Sequence, residues 1–377
     1  MIYLDNAATT FPKPDIVYSK MDEVNRTLSV NAGRGAYKAA KDAAKLIADT
    51  KDLLLNLFNA NGIADICFTP SVTHAVNQVL GGIQLNESST VYITPYEHNA
   101  VARPLKMLQK KMGFEVELIP LTNDLKIDLD RTAYQFTCKR PSVVIVNKIS
   151  NVTGYMLPAE ELFHLAKKYD AITIMDAAQA AGLIDINMRV NDADVLCFAG
   201  HKTLCGPLGI GGFALKHGVQ IESVFAGGTG SNSLSLEMPA YAPDKYEASS
   251  PNIVAIAGLY AALSSLNQKG HLAHVIEMTD YLLSSLATLD YIHVVGAYEA
   301  GTTVGIVSFI VDGFTSSDIG NILDEEYDIA VRTGYHCAPY IHKYLNDMSY
   351  EGTVRIGLGP FTSKADIDCL ISALESL

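Results

Sequence analysis

Short apolar runs recur along the first 215 residues, and most are followed by a stretch with helical spacing. Asp65–Phe68 reads as a strand and Val72–Ile83 as a helix; Thr90–Ile93 is again a strand, Ala100–Lys111 a helix and Val116–Ile119 a strand. The pattern continues with the apolar run Ser142–Val146, a helix over Ala159–Lys168, and the runs Ala171–Met175, Val195–Phe198 and Ile210–Leu215. Strands that are apolar on both faces and alternate with helices predict an α/β fold: a mostly parallel sheet between helical layers. The rhythm breaks at Ser249-Ser250-Pro251. Beyond it the spacing predicts a long helical tract over Ile253–Leu289, broken near Gly270, and then a smaller α+β pattern. Its parts are Tyr291–Val295, Gly305–Val311, a helix over Ser316–Glu325, Ile329–Val331, Thr353–Ile356 and a terminal helix from Ser363. We therefore expect a large unit over 13–255 and a small C-terminal unit over 256–377, joined by an N-terminal segment, 1–12.

Composition narrows the function. With 377 residues, 49% of them hydrophobic, the chain can bury a large core, and the length favours two units. A formal net charge of −13, with no cluster of Lys and Arg, argues against nucleic acid or an anionic membrane as the main partner. No stretch approaches the roughly 20 apolar residues of a membrane span. The first ten residues carry no basic region ahead of an apolar one, so no secretory signal is expected. The six cysteines form no CxxC pair, which argues against a zinc site or a disulfide framework and for a reducing cytoplasm. Cys67 and Cys197, inside apolar runs, read as small buried hydrophobes.

Ligands of open α/β sheets gather at the C-terminal ends of the strands. The residues there are chemically useful. Thr69-Pro70-Ser71-Val72-Thr73 joins a strand to a helix start, where free N–H groups and the helix dipole favour an anion; a plain cap by Thr69 or Ser71 is the commoner role of such a segment. His98, in Tyr96-Glu97-His98-Asn99, can stack on a flat ring or carry protons, or be an ordinary loop histidine. Asn151 can hydrogen-bond a ring substituent or serve a turn. Asp176 ends an apolar run and is followed by Gln179; a desolvated carboxylate there needs a partner, such as a protonated pyridine nitrogen, or else caps a helix. Lys202, in Gly200-His201-Lys202-Thr203, opens a glycine-rich stretch; a lysine in a dry pocket forms Schiff bases, whereas a lone surface lysine merely snorkels. The glycines do not match GxGxxG before a helix, which excludes a dinucleotide site. Taken together, phosphate donors, a stacking ring, an acid for a ring nitrogen and an imine-forming lysine are the parts needed to hold pyridoxal 5'-phosphate (PLP). Further on, Arg332-Thr333-Gly334-Tyr335-His336-Cys337-Ala338-Pro339 sets a thiol among an arginine, a histidine and a glycine. A metal at His336 and Cys337 is a poor reading, since no further ligands stand at metal spacing.

On these residues, and over nearly its whole length from Tyr3–Thr10 to Arg355-Ile356-Gly357, the chain resembles the cysteine desulfurases. These are fold-type I PLP enzymes of the class V aminotransferase group. The Arg332–Pro339 segment is similar to the active-cysteine motif of the subgroup containing SufS-like and selenocysteine lyase-like enzymes. The resemblance implies a seven-stranded-type sheet in the large domain and PLP anchored on Lys202. It implies that Asp176 pairs with the pyridinium nitrogen, that Gln179 contacts the ring oxygen, and that His98 stacks on the ring and assists proton transfer. Ser71, Val72, Thr73 and His201 would bind the phosphate, with Ser250 donated by the second subunit of a homodimer. Asn151, Arg355 and Arg332 would hold the substrate, arginine being suited to a carboxylate. Cys337, a mobile cysteine on the short loop of that subgroup, would take sulfur from L-cysteine as a persulfide, leaving L-alanine, and pass it to a sulfur-acceptor protein, as in iron–sulfur cluster assembly.

Three positions depart from the family pattern. Ala199 stands where a serine is frequent, Tyr335 replaces the first of two histidines, and 227–236 is rich in Gly and Ser. Two other classes stay open on the sequence. One is another PLP enzyme on the same fold: an aminotransferase, a selenocysteine lyase or another C–S lyase. The other is a non-catalytic sulfur carrier.

Overall fold

The computed structural model describes all residues except 33–34, 231–233, 297 and 299–300. The Gly/Ser-rich stretch 227–236 therefore lies partly outside the described residues. The chain opens with β1 (Ile2–Tyr3), α1 (Asp15–Thr27) and α2 (Lys38–Leu57). Then come β2 (Ala64–Thr69), α3 (Val72–Gly82), β3 (Thr90–Ile93), α4 (Asn99–Met112), β4 (Glu115–Leu118) and α5 (Leu129–Cys138). After β5 (Val143–Asn147), α6 (Ala159–Lys167) and β6 (Ile172–Asp176), strands β7 (Val195–Ala199) and β8 (Gly211–Lys216) complete the first series. The second part holds α7 (Ile253–Ser264), α8 (Gln268–Leu286), β9 (Ile292–Val294), β10 (Ile306–Val311), α9 (Ser316–Tyr327), β11 (Ile329–Ala330), β12 (Arg332–Gly334), β13 (Thr353–Gly357) and α10 (Lys364–Glu375).

The large sheet has seven strands in the order β2-β8-β7-β6-β5-β3-β4. Its pairings are parallel except that β8 runs antiparallel to both neighbours. Strands β3, β5 and β7 are buried along their whole length, as their unbroken apolar runs require of a sheet covered on both faces. Two apolar clusters, one on each face, fill the layers between sheet and helices. The fold is the α/β architecture of the fold-type I class.

A four-stranded antiparallel sheet, β12-β13-β10-β9, forms the second layer system, packed against α8, α9 and α10. Strand β1 pairs in parallel with β11 and delivers Leu4 into that second core. Helix α7 packs elsewhere: its Ala255, Ile256, Leu259 and Leu263 lie in the core of the large sheet.

The tract 253–289 is broken near Gly270, as expected: the break falls at residues 265–267, where Asn267 caps α8 by accepting a hydrogen bond from Gly270 N, so Gly270 sits in the first turn of α8. One expectation is corrected. Helices α1, α2 and α5 lie where no element was expected. The buried positions of α2 are Ala40, Ala43, Leu46, Thr50 and Leu54, so small or polar residues interrupt its leucines and blur the apolar stripe.

Candidate functional site

Strands β5, β6 and β7 are neighbours, and register brings their C-terminal ends level: Asn147 faces Asp176, and Asp176 faces Cys197. The loops that follow carry Asn151, Gln179 and Lys202 into one region. The Lys202 turn is clamped by the N-terminal segment. Thr10 donates its hydroxyl to the Lys202 carbonyl at 2.9 Å, Thr9 donates to the His201 carbonyl at 3.0 Å, and the Lys13 ammonium donates to the carbonyls of Thr10 and His201. Burial is the leading cause that lowers the Lys202 amine to about 8; Arg355 and Arg332 add to it, while Asp176 and Asp5 oppose it. An amine lowered this far is neutral in an appreciable fraction near pH 7–8, the form that reacts with aldehydes.

Asp176 is buried at the end of β6. Its Oδ1 accepts from Ala178 N at 2.9 Å. Burial raises its carboxyl above the ordinary range, countered by that hydrogen bond and by Lys202. Gln179 is buried, and its amide donates to the Ala7 carbonyl at 2.8 Å.

His98 caps α4: its Nδ1 accepts from Ala100 N at 2.9 Å. That bond leaves the proton of a neutral ring on Nε2. Burial first, then Lys202, Arg332, Arg355 and Arg103, push His98 down to about 4. At neutral pH the ring is an uncharged donor from Nε2, with its one basic lone pair already engaged.

At the head of α3, Ser71 accepts from His74 N, so the cap expected for this segment is present. The next residues, Val72 and Thr73, begin the first turn, whose N–H groups have no acceptor within the helix. Thr73 is exposed and Ser71 half-buried. The turn is backed by Gly211 of β8. A Cβ there would lie 2.8 Å from Val72 N and 2.9 Å from the Phe198 carbonyl, so only glycine allows this approach. His201 is lowered to about 4, chiefly by burial and then by Lys202 and Lys13, and its Nδ1 is buried without a partner among the described residues.

Arg355 on β13 is 2% exposed. Its guanidinium donates to the Asn151 carbonyl at 2.9 Å and to Asp5 Oδ1 at 2.7 Å. Its Nε and Asn151 Oδ1 are both buried and unpartnered among the described residues. Arg332 stands opposite Arg355 across the β12–β13 pair and donates from Nη2 to Cys337 Sγ at 3.8 Å.

Cys337 is half-buried at the tip of a turn after β12. Ala338 N bonds to the Tyr335 carbonyl at 3.0 Å, and the two central residues, His336 (φ 45°) and Cys337 (φ 57°), are both left-handed. This is the φ pattern of a type I′ turn, which normally selects glycine or asparagine. The turn is short, and carbonyls on either side of the thiol are tied to pocket elements. The His336 carbonyl accepts from the Asn151 amide, and the Cys337 carbonyl accepts from Asn99 N, both at 2.7 Å. His336 itself is buried, with Nε2 2.8 Å from the Thr353 hydroxyl.

The sequence-predicted residues Ser71–Thr73, His98, Asn151, Asp176, Gln179, His201, Lys202, Arg332, Cys337 and Arg355 all lie at the ends of the large-sheet strands or on the β12–β13 pair facing them. Ser250 does not reach this pocket from its own chain: it is exposed and accepts from the Asn31 amide at 3.3 Å. Asp5, the counter-ion of Arg355, was missed. So was Glu97, which is fully buried beside His98; its Oε1 accepts from the Thr94 hydroxyl and from Asn147 N. Both residues lie within quoted motifs, but nothing in a motif says which of its polar residues turn inward.

A sheet that ends its central strands on a buried carboxylate and an amine of lowered basicity, with a helix N-terminus to one side, is the ground plan of a PLP-dependent enzyme of fold-type I. The chain belongs to the class V aminotransferase family, whose model (Aminotransferase class-V) matches residues 2–370; the enzymes of that family are PLP-dependent. It is 29% identical to a probable cysteine desulfurase of Streptomyces coelicolor, covering 100% of this chain and 91% of that protein. It is 30% identical to a probable cysteine desulfurase of Pyrococcus abyssi, covering 100% and 94%. Among solved structures it is similar to the apo cysteine desulfurase from Thermococcus onnurineus (TM-score 0.93, 28% identity, 99% of this chain and 94% of that one). It is also similar to the cysteine desulfurase CsdA from Escherichia coli in its S-sulfonic acid form (TM-score 0.85, 25% identity, 100% and 94%). Among the described residues no helix is long and apolar enough to cross a membrane, and no group of three or more His, Cys, Asp or Glu is arranged to hold a metal.

Proposed function

We propose that the chain is a PLP-dependent cysteine desulfurase that converts L-cysteine to L-alanine and keeps the sulfur as a persulfide on Cys337. The observation that carries this reading is the docking of the Cys337 turn. Its carbonyls are held by Asn99 N, next to His98, and by Asn151, so the thiol rides on the same loops that line the Lys202 pocket. An aminotransferase on this frame has no use for a thiol there.

The residues fit PLP. Lys202 supplies the amine and Asp176 the acceptor for a pyridinium N–H. The α3 turn with Ser71, Val72, Thr73 and His201 offers donors for the phosphate. The unpartnered Asn151 Oδ1, His201 Nδ1 and Arg355 Nε are buried polar atoms that a ligand would satisfy. PLP bound at Lys202 supplies an electron sink for charge that develops at the α-carbon of the amino acid.

The chain's own groups do the rest. Arg355, with Arg332 beside it, orients the substrate carboxylate. The Lys202 amine is the proton carrier, its basicity set near working pH. His98 is a fixed ring and a donor from Nε2, and its occupied Nδ1 makes it a poor base. The Cys337 sulfur attacks the substrate sulfur. The S–S bond forms as the Cβ–S bond breaks, that electron pair returns to carbon with a proton, and alanine leaves; the sulfur is oxidised and the carbon reduced. Ser250, outside its own pocket, serves the phosphate site of a second copy in a homodimer. On the same reading the cofactor unit runs through α7, so the division falls at 265–267 rather than within α7 at 255–256. A reducing cytoplasm and an acceptor protein for the persulfide complete the proposal.

The test is mass spectrometry of the purified protein after incubation with L-cysteine. One extra sulfur on Cys337, with alanine in solution, is expected. Cys337→Ala should remove both while the visible absorbance of bound cofactor stays, and Lys202→Ala should remove that absorbance. Alanine formed at an undiminished rate by Cys337→Ala overturns the reading.

A further inference from the structure

Behind the turn that carries Cys337 lie two buried polar groups for which the chemistry above has no use. His342, in a short 3-10 helix (Ile341–Lys343), is 3% exposed, and Asp347 is fully buried. His342 Nδ1 is 2.5 Å from Asp347 Oδ2, and Nε2 is 2.9 Å from the Tyr335 carbonyl oxygen. A carbonyl can only accept, so Nε2 carries a proton and donates it to Tyr335. Asp347 fixes the ring from its other nitrogen, in the way a carboxylate orients a histidine in many sites. Asp347 is held in turn: its own carbonyl accepts from Tyr350 N at 3.1 Å and Gly352 N at 3.0 Å, at the entry to β13. The Tyr335 ring lies edge-on to the His342 ring, centroids 5.1 Å apart.

The carbonyl that His342 holds is the one that closes the turn, since Ala338 N bonds to the same oxygen. The carbonyls of three successive residues, 335, 336 and 337, are thus captured from three different elements: His342, Asn151 and Asn99 N. Two left-handed non-glycine residues in a row persist only where the surroundings over-determine them. Of the three captures, the one by His342 is the only one independent of the cofactor pocket.

We propose that His342 and Asp347 are positioning residues for Cys337: Asp347 fixes the imidazole, and the imidazole holds the Tyr335 carbonyl and so keeps the turn that aims the thiol. This rests on reading Cys337 as the sulfur-accepting group, but the turn can be read without that chemistry. Neither residue touches substrate or cofactor.

The experiment uses the full chain with its cofactor and two variants. His342→Phe keeps a ring against Tyr335 and loses both nitrogens, whereas His342→Gln keeps a donor. Four quantities are read: cofactor absorbance, kcat and KM for alanine production, the rate at which iodoacetamide alkylates Cys337, and the ring N–H signals of the wild type by nitrogen-15 NMR. We expect His342→Phe to keep the absorbance and the KM, to lose about tenfold or more in kcat, and to change the alkylation rate about threefold or more. We expect His342→Gln to recover most of both. The wild type should show a slowly exchanging Nε2–H of His342, assigned by its loss in the Gln variant. A folded Phe variant with kcat and alkylation rate like the wild type overturns the proposal, as does a Gln variant no better than Phe. Absence of the protected Nε2–H overturns it even where the Phe variant does not fold. If alanine is never formed, the desulfurase reading fails, while alkylation and NMR still decide the role of His342.

Discussion

His336 and Cys337 occupy backbone conformations that a glycine or asparagine would adopt at lower cost. Left-handed conformations cost roughly 1–2 kcal/mol per residue for ordinary side chains, so the pair stores strain at the point of proposed chemistry. Net hydrogen-bond contributions of about 1 kcal/mol each from the three tied carbonyls are of the right size to offset it. Glu97 is a second residue whose state its surroundings set. Burial, then Asp176, raise its carboxyl to about 8, against the lowering effect of bonds from Asn147 and Thr94. The folded protein therefore holds a proton on Glu97 where the unfolded chain has lost it. Its contribution to stability is complete below the ordinary carboxylate range and is lost as pH rises from about 4.5 to about 8. Glu97→Gln keeps the shape without the ionisation, so its urea midpoint should fall less than that of the wild type between pH 6 and pH 9. Equal losses would show that Glu97 is not the group responsible.

Among the elements, the strands act as rulers: parallel register sets Asn147, Asp176 and Cys197 level and projects their loops to one side. Strand β8 runs the other way, which places Gly211 at its start, against the head of α3. The anion-binding turn is therefore shaped from two sides. Gly211→Ala would put a methyl group 2.8 Å from Val72 N, and all three of its nearest contacts are backbone atoms that cannot swing away. We expect a loss of about 1–3 kcal/mol in stability, as for an overpacked core, and weaker retention of PLP on dialysis, because the α3 turn must shift. Unchanged unfolding and unchanged cofactor retention would show that this contact relaxes freely.

For the molecule as a whole, the first thirteen residues connect the two sheets. Strand β1 joins β11 in a two-stranded sheet of its own, Asp5 pairs with Arg355 of the four-stranded sheet, and Thr9, Thr10 and Lys13 hold the Lys202 turn of the seven-stranded one. Acid sensitivity is also a property of the whole molecule. His98, His201 and His271 are each lowered to about 4, mainly by burial, and His336 lies well below its ordinary value of 6.5 for the same reason. The unfolded chain binds protons on these rings before the folded one does. Their contribution is present above about 6.5 and is lost as pH falls from 6.5 towards 4. Cofactor-free protein should therefore show a markedly lower urea midpoint at pH 5 than at pH 7. His271→Gln, outside the proposed site, should reduce that difference; an unchanged difference would remove His271 from the set.

The chain alone determined the layered α/β plan, because strands buried on both faces must be apolar throughout and their helices must be spaced to cover them. It also determined which chemical groups follow each strand, since Lys202, Asp176, His98 and the Cys337 motif can be read in order without coordinates. It fell short where the signal is spread over weak or distant contributions. In α2, Ala40, Ala43 and Thr50 interrupt the leucines of the buried face, and the cap by Asn267 that divides α7 from α8 looks like any loop asparagine. Tertiary structure alone decided which polar residues turn inward. Asp5 meets Arg355 from 350 positions away, Asn151 reaches the His336 carbonyl from 185 away, and His342 is locked between Asp347 and Tyr335. Such pairings depend on how folded elements close on one another, and no local pattern along a chain encodes that closure. The same closure sets the protonation of Lys202, His98 and Glu97, because desolvation exists only once the core around them has formed.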